Sequence, residues 1–273
     1  MTLAPDVQAE LRELLRAARA YLELERACGS PGVQLIERAA PDSGVLENLR
    51  PAVSLPPPVE PRAAVAAAAP PASEPPPQAA LPSLDERVRR LEVLAREAEA
   101  CTGCVLHEKR TKSVFARGSA GAEVAFVGEG PGRDEDLQGF PFVGPAGKLL
   151  DKMITAMGYA RDDVYVCNVV KCRPPENRTP RPEESLACAR YLVPQLEIVA
   201  PQYIVALGRC AAQALGVADV TGPWRGKWGH WRGIPVMPTY HPAFLLRSPE
   251  FKRTVWEDLQ LVMGRLGRKR PPS

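Results

Sequence analysis

From about residue 120 to residue 266 the chain alternates short apolar runs with longer stretches of mixed polarity. The runs at 123–128, 163–168, 203–207 and 234–239 are short and rich in aliphatic residues, as strands buried on both faces are. The stretches near 145–157, 182–198, 209–215 and 250–266 space their apolar residues as helices do. Strand and helix in alternation predict an α/β fold, with a parallel sheet covered on both faces. Ligands of such sheets gather at the carboxyl ends of the strands. Glu129 follows the first run, Asn168 ends the second and His241 follows the fourth. The pattern therefore expects these three at one rim.

Upstream the pattern changes twice. Leu11, Leu14, Leu15, Ala18, Tyr21, Leu22 and Leu24 recur at helical spacing within residues 6–27. Residues 28–82 carry no such period, and eleven prolines fall between Pro51 and Pro82. Proline removes a backbone donor, and a Pro/Ala segment buries little, so this stretch reads as a disordered, semi-extended linker. Order resumes at Ser83, where Ser83-x-x-Glu86 forms a capping-box signature. Leu84, Val88, Leu91 and Leu94 then mark a helix running toward Cys101. The expected organisation is an N-terminal helical extension (1–27), a linker (28–82), one catalytic domain (83–267) and a short basic tail (268–273). A protein partner, unidentified, is one expectation for residues 6–27.

Charge adds a direction. Residues 101–273 hold 24 Lys+Arg against 17 Asp+Glu, whereas residues 1–100 hold 11 against 15. A basic C-terminal part suits a polyanion, most simply nucleic acid. No stretch approaches the roughly 20 apolar residues of a membrane span. The N-terminus lacks the basic-then-apolar layout of a secretory signal. A cytoplasmic location follows as an expectation, with no membrane partner.

Seven cysteines are present, and Cys101-x-x-Cys104 is spaced to hold a metal centre from one loop. Cys172 and Cys188 supply a second pair. Four thiolates suit either tetrahedral zinc or an iron–sulfur cluster, and spacing does not separate the two. Cys28, Cys167 and Cys210 read as ordinary thiols.

Gly128-Glu-Gly-Pro-Gly132 turns the chain sharply after the first strand and lets backbone N–H groups approach a ligand. It is not a dinucleotide loop, because Arg133 stands where G-x-G-x-x-G needs its last glycine. The segment Gly139-Phe-Pro-Phe-Val-Gly144 follows, and Phe142 offers a flat ring beside the Glu129 carboxylate.

Together these motifs resemble the family 4 uracil-DNA glycosylases, the iron–sulfur branch of that superfamily. The resemblance runs from about Leu84 to Leu266. It rests on Cys101-x-x-Cys104, on Gly128–Gly132 with Glu135-Asp136, and on Gly139–Leu150. It rests further on Asn168-Val-Val-Lys-Cys-Arg-Pro-Pro-Glu-Asn-Arg178, on Cys188, and on His241-Pro-Ala-Phe-Leu-Leu-Arg247. The family's usual Ala is Gly130 here. The resemblance implies a three-layer α/β/α sandwich with a four-stranded parallel sheet. It implies a 4Fe–4S cluster on Cys101, Cys104, Cys172 and Cys188, and a monomer acting on uracil-containing DNA in base excision repair, close to the nucleoid.

It also implies roles for single residues. Phe142 stacks on a uracil flipped out of the helix. Asn168 reads the base, since a carboxamide complements the O4 acceptor and N3–H donor. Glu135 helps form the wall against the thymine methyl. His241 donates to O2 as charge develops there, and backbone N–H groups near Gly130 add donors. Glu129 handles the attacking water. Leu245, Leu246 and Arg247 form a wedge on the loop after His241. Asn177 and Arg178 contact substrate or phosphate. A branch that captures uracil covalently, without turnover, is the alternative; its inserted basic loop has no counterpart in this sequence.

Overall fold

A computed structural model describes residues 81–218 and 224–268. The extension 1–27, nearly all of the linker 28–82 and the tail beyond residue 268 lie outside the described residues. The described chain opens with α1 (Leu84–Glu99), whose first turn is closed by Ser83 Oγ accepting from the Glu86 N–H at 3.3 Å. The expected reciprocal bond from Glu86 is replaced by ion pairs, because its carboxylate sits one helical turn from Arg89 (3.0 Å) and Arg90 (3.2 Å).

The sheet has six strands in the order β1-β3-β2-β4-β6-β5. Four are the anticipated ones: β2 (Val124–Gly128), β3 (Tyr165–Asn168), β4 (Tyr203–Leu207) and β6 (Ile234–Thr239). They pair in parallel, with Gly128 opposite Asn168 and Leu207 opposite Thr239. The four-stranded expectation is corrected at the edges. There β1 (Ala116–Gly118) lies antiparallel to β3 and β5 (Gly229–Trp231) antiparallel to β6. Each edge strand has three residues, too few to show a period in the sequence.

Crossovers run through α3 (Pro145–Ala156), α4 (Pro182–Val199) and α5 (Arg209–Ala214), and α7 (Lys252–Arg265) packs last. Alternation along each strand splits the core in two. Ala125, Val127, Cys167, Ile204 and Ala206 face Leu91, Leu192 and Leu196 of α1 and α4. Val124, Phe126, Val166, Val205 and Met237 face Leu150, Ile154, Val255 and Leu259 of α3 and α7. The result is the expected α/β/α sandwich. Arg87 adds a polar lock between α1 and α4 by donating to the Ile198 carbonyl at 2.7 Å. Two short helices had no counterpart in the sequence pattern: α2 (Arg133–Gln138) and α6 (Pro242–Arg247).

Candidate active site at the carboxyl rim of the sheet

Three strand ends deliver the site. Beyond β2 the chain turns at Gly128, where an added Cβ would lie 2.4 Å from Asn168 Oδ1 and 2.6 Å from the Phe142 ring. Only glycine lets those two side chains meet across the strand. Phe142 itself is buried and holds a left-handed φ of 55°. A bulky residue is strained there and needs its surroundings to hold it. Glu135, in the first turn of α2, supplies much of that hold. Its carboxylate accepts from the N–H groups of Gly132 (3.1 Å), Val143 (3.0 Å) and Gly144 (2.9 Å). Gly147 allows the close approach from the other side, since a Cβ there would meet the Phe142 carbonyl oxygen at 1.9 Å.

A cavity of about 410 Å³ opens at this rim. Glu129, Gly130, Glu135, Phe142, Asn168, Asn177, Arg178, His241 and Arg247 all line it. Its volume suits a small flat ligand with room for part of its carrier.

Asn168 is 1% exposed and its Oδ1 has no hydrogen-bond partner. A buried acceptor left alone costs about 1–3 kcal/mol, so this oxygen is prepared for an N–H donor. The Phe142 and His241 rings stack at 5.5 Å between centroids, inclined by 29°. His241 also caps α6, its Nδ1 accepting from the Ala243 N–H at 3.1 Å. That bond assigns the remaining proton to Nε2. Burial, and then the positive charge of Arg247, push the imidazole down to about 4, so it is neutral at pH 7. Glu129 is half-buried; desolvation raises its carboxyl above the usual range, opposed by a hydrogen bond with Thr179.

Not every expected residue faces the cavity. Leu245 is 1% exposed and packs into the core beside Val255 and Leu259, because residues 242–247 form a helix rather than an open loop. Of the three wedge candidates, Leu246 and Arg247 are exposed, and Arg247 lines the cavity at its edge. Asn177 is exposed, has a φ of 56° and accepts from Arg173 Nε at 2.7 Å. Arg178 grips the buried Glu184 with two bonds, of 2.8 and 2.6 Å, and so fixes the segment bearing Thr179. Glu184 and Thr179 were missed, since a carboxylate in a helix's first turn reads as surface.

The four anticipated cysteines line a second pocket together with Arg110, Lys171 and Tyr191. Three donors aim at its sulfurs: Gly103 N–H to Cys101 (3.3 Å), Arg110 to Cys172 (3.1 Å) and Lys171 N–H to Cys188 (3.2 Å). Burial raises the Cys104, Cys172 and Cys188 thiols, the last to about 11. Cys101 is also raised by burial, but bonds from Tyr191 and Gly103 and the charges of Arg190 and Arg110 bring it below the thiol range. Among the described residues no three His, Cys, Asp or Glu side chains converge closely enough to hold a single metal ion. Four thiols lining one pocket are a donor set that fits a sulfur-ligated metal centre.

Comparison with known proteins identifies the family of this chain. The family described as the uracil DNA glycosylase superfamily matches residues 115–260. A type-4 uracil-DNA glycosylase of Thermotoga maritima is 44% identical over 185 residues, covering 64% of this chain and 93% of that protein. Those of Archaeoglobus fulgidus and Saccharolobus solfataricus are 43% and 41% identical, over 66% of this chain and 96% and 88% of theirs.

Proposed function

Because the chain belongs to the uracil-DNA glycosylase superfamily, we propose that it hydrolyses the N-glycosidic bond of deoxyuridine in DNA. The observation that carries this reading is the unpaired Asn168 Oδ1 beside Phe142 and His241 on one cavity. Uracil presents an N3–H to that oxygen and its O4 to the amide N–H. Cytosine reverses both groups and leaves buried polar atoms mispaired. Glu135 serves thymine exclusion by pinning the segment from Gly132 to Gly144, so that the pocket wall cannot yield to a methyl group.

Bond cleavage sends the electron pair of the N1–C1′ bond into the base. Charge collects at O2, where the Nε2–H of neutral His241 donates a hydrogen bond worth about 2.7–4 kcal/mol in comparable oxyanion sites. Water adds to C1′ and gives up a proton, which neutralises the departing uracil anion. Glu129 orients that water, and its carboxylate offsets the positive sugar. Leu246 and Arg247 stand at the outer edge, placed to fill the gap left by the flipped nucleotide.

Cys101, Cys104, Cys172 and Cys188 are assigned to a 4Fe–4S cluster. When bound, such a cluster would tie the loop after α1 to the segment that follows Asn168 and to α4, a structural role, since hydrolysis transfers no electrons. We assign the reaction to a monomer in the cytoplasm; no helix among the described residues is long and apolar enough to cross a membrane. The test is an oligonucleotide containing one U:G pair. Repeated release of free uracil per protein molecule is expected. A stoichiometric, denaturation-resistant adduct would favour the trapping alternative.

A further inference from the structure

Lys171 is among the largest fully buried side chains, at 1% exposure. A buried ammonium is costly unless something answers it. Here the answer comes from two directions. Its Nζ donates to the Asn168 carbonyl at 2.7 Å, closing a tight ring over residues 168–171. Its backbone N–H donates to Cys188 Sγ at 3.2 Å, and the Cys167, Cys172 and Cys188 thiols lie close enough to interact with its charge. The Phe115 ring lies 5.8 Å from Nζ, and the Val114 N–H holds the Lys171 carbonyl at 2.8 Å. One residue thus touches both the sulfur-lined pocket and the peptide that carries the base-reading amide.

We propose that Lys171 is a positioning residue, which fixes the Asn168 peptide against the four-cysteine centre and so sets the direction of the Asn168 side chain. The inference rests on the uracil-reading role given to Asn168 above. Side-chain direction at the end of a strand follows the backbone dihedrals, and the Nζ bond restrains those dihedrals. Releasing it leaves the amide in place but loosely aimed, and misplacements of about 1 Å cost up to about 100-fold in rate.

The experiment uses the full-length holoprotein. Uracil release and iron content of the native protein are measured first; failure there sinks the proposed function along with this inference. Lys171→Met keeps the length and apolar stem but removes the donor. Its single-turnover excision is expected to fall about tenfold or more, and its inhibition by free uracil to weaken in step. Iron per molecule and affinity for undamaged DNA should stay native, and Lys171→Arg should recover part of the rate. A purely structural lysine would instead lower iron content and thermal stability with no such split. A second measurement avoids substitution. In native protein labelled with 15N-lysine, titrating free uracil should shift one slowly exchanging Nζ resonance. Native excision by an iron-replete Lys171→Met protein, or an Nζ resonance indifferent to uracil, overturns the proposal.

Discussion

The Ala243 N–H donates to His241 Nδ1 at 3.1 Å, so the residue that caps α6 also lines the cavity. The cap fixes the tautomer, and burial fixes the charge. His241 titrates at about 4 in the folded protein, against about 6.5 when unfolded. The unfolded chain therefore binds the extra proton between these values. This group's contribution to stability is complete above about 6.5 and is lost as pH falls toward and through 4. Excision should show no ionisation of His241 between pH 6 and 8. Following the imidazole C2–H by NMR checks this; a midpoint near 6.5 contradicts it.

Asn168→Ala should lose about 100-fold or more in uracil excision, since two directional bonds worth about 1–3 kcal/mol each disappear. Affinity for undamaged DNA should change little, because phosphate contacts carry it. Gel-shift titration beside single-turnover kinetics separates the two effects.

Gly128→Ala tests the meeting of strand ends. Its Cβ would overlap both the Asn168 amide and the Phe142 ring. Overpacking of this sort costs about 1–3 kcal/mol in stability. The loss in excision should exceed that figure, because both base-contacting groups move. Thermal melts and kinetics on one preparation give the comparison.

Glu135→Ala leaves three backbone N–H groups without their acceptor. The segment holding Phe142 at its strained φ should loosen, and activity on T:G pairs should rise relative to U:G. Glu135→Gln, which still accepts through its carbonyl oxygen, should fall in between.

The purified protein should be brown, with broad visible absorbance that acid bleaches. Cys188→Ser should remove most iron and lower the melting temperature. Zinc without iron in elemental analysis would overturn the cluster assignment. Removing residues 1–82 should leave excision on short oligonucleotides nearly intact, because among the described residues the cavity is lined from Glu129 onward.

The parallel strands were legible because each is a short apolar run with a polar boundary, and the rim position of Asn168 and His241 followed from where those runs end. The edge strands were not, as three residues cannot display alternation. Leu245 was misread because the sequence after His241 looks like an open loop. Pro242 stands at the first helical position, where its missing N–H costs nothing, and the helical turn carries Leu245 inward. Lys171 and Glu184 stayed hidden for another reason. Charged side chains are seldom buried, and only three-dimensional partners show when they are.

The order of parts along the chain has a consequence for biosynthesis. Every assigned sulfur ligand lies between Cys101 and Cys188, whereas the strand leading to His241 starts at Ile234. A ribosome that has released the first two hundred residues has exposed the whole thiol set but no histidine cap, no final crossover and no closed cavity. A centre on the four assigned cysteines can therefore be loaded before the cavity closes.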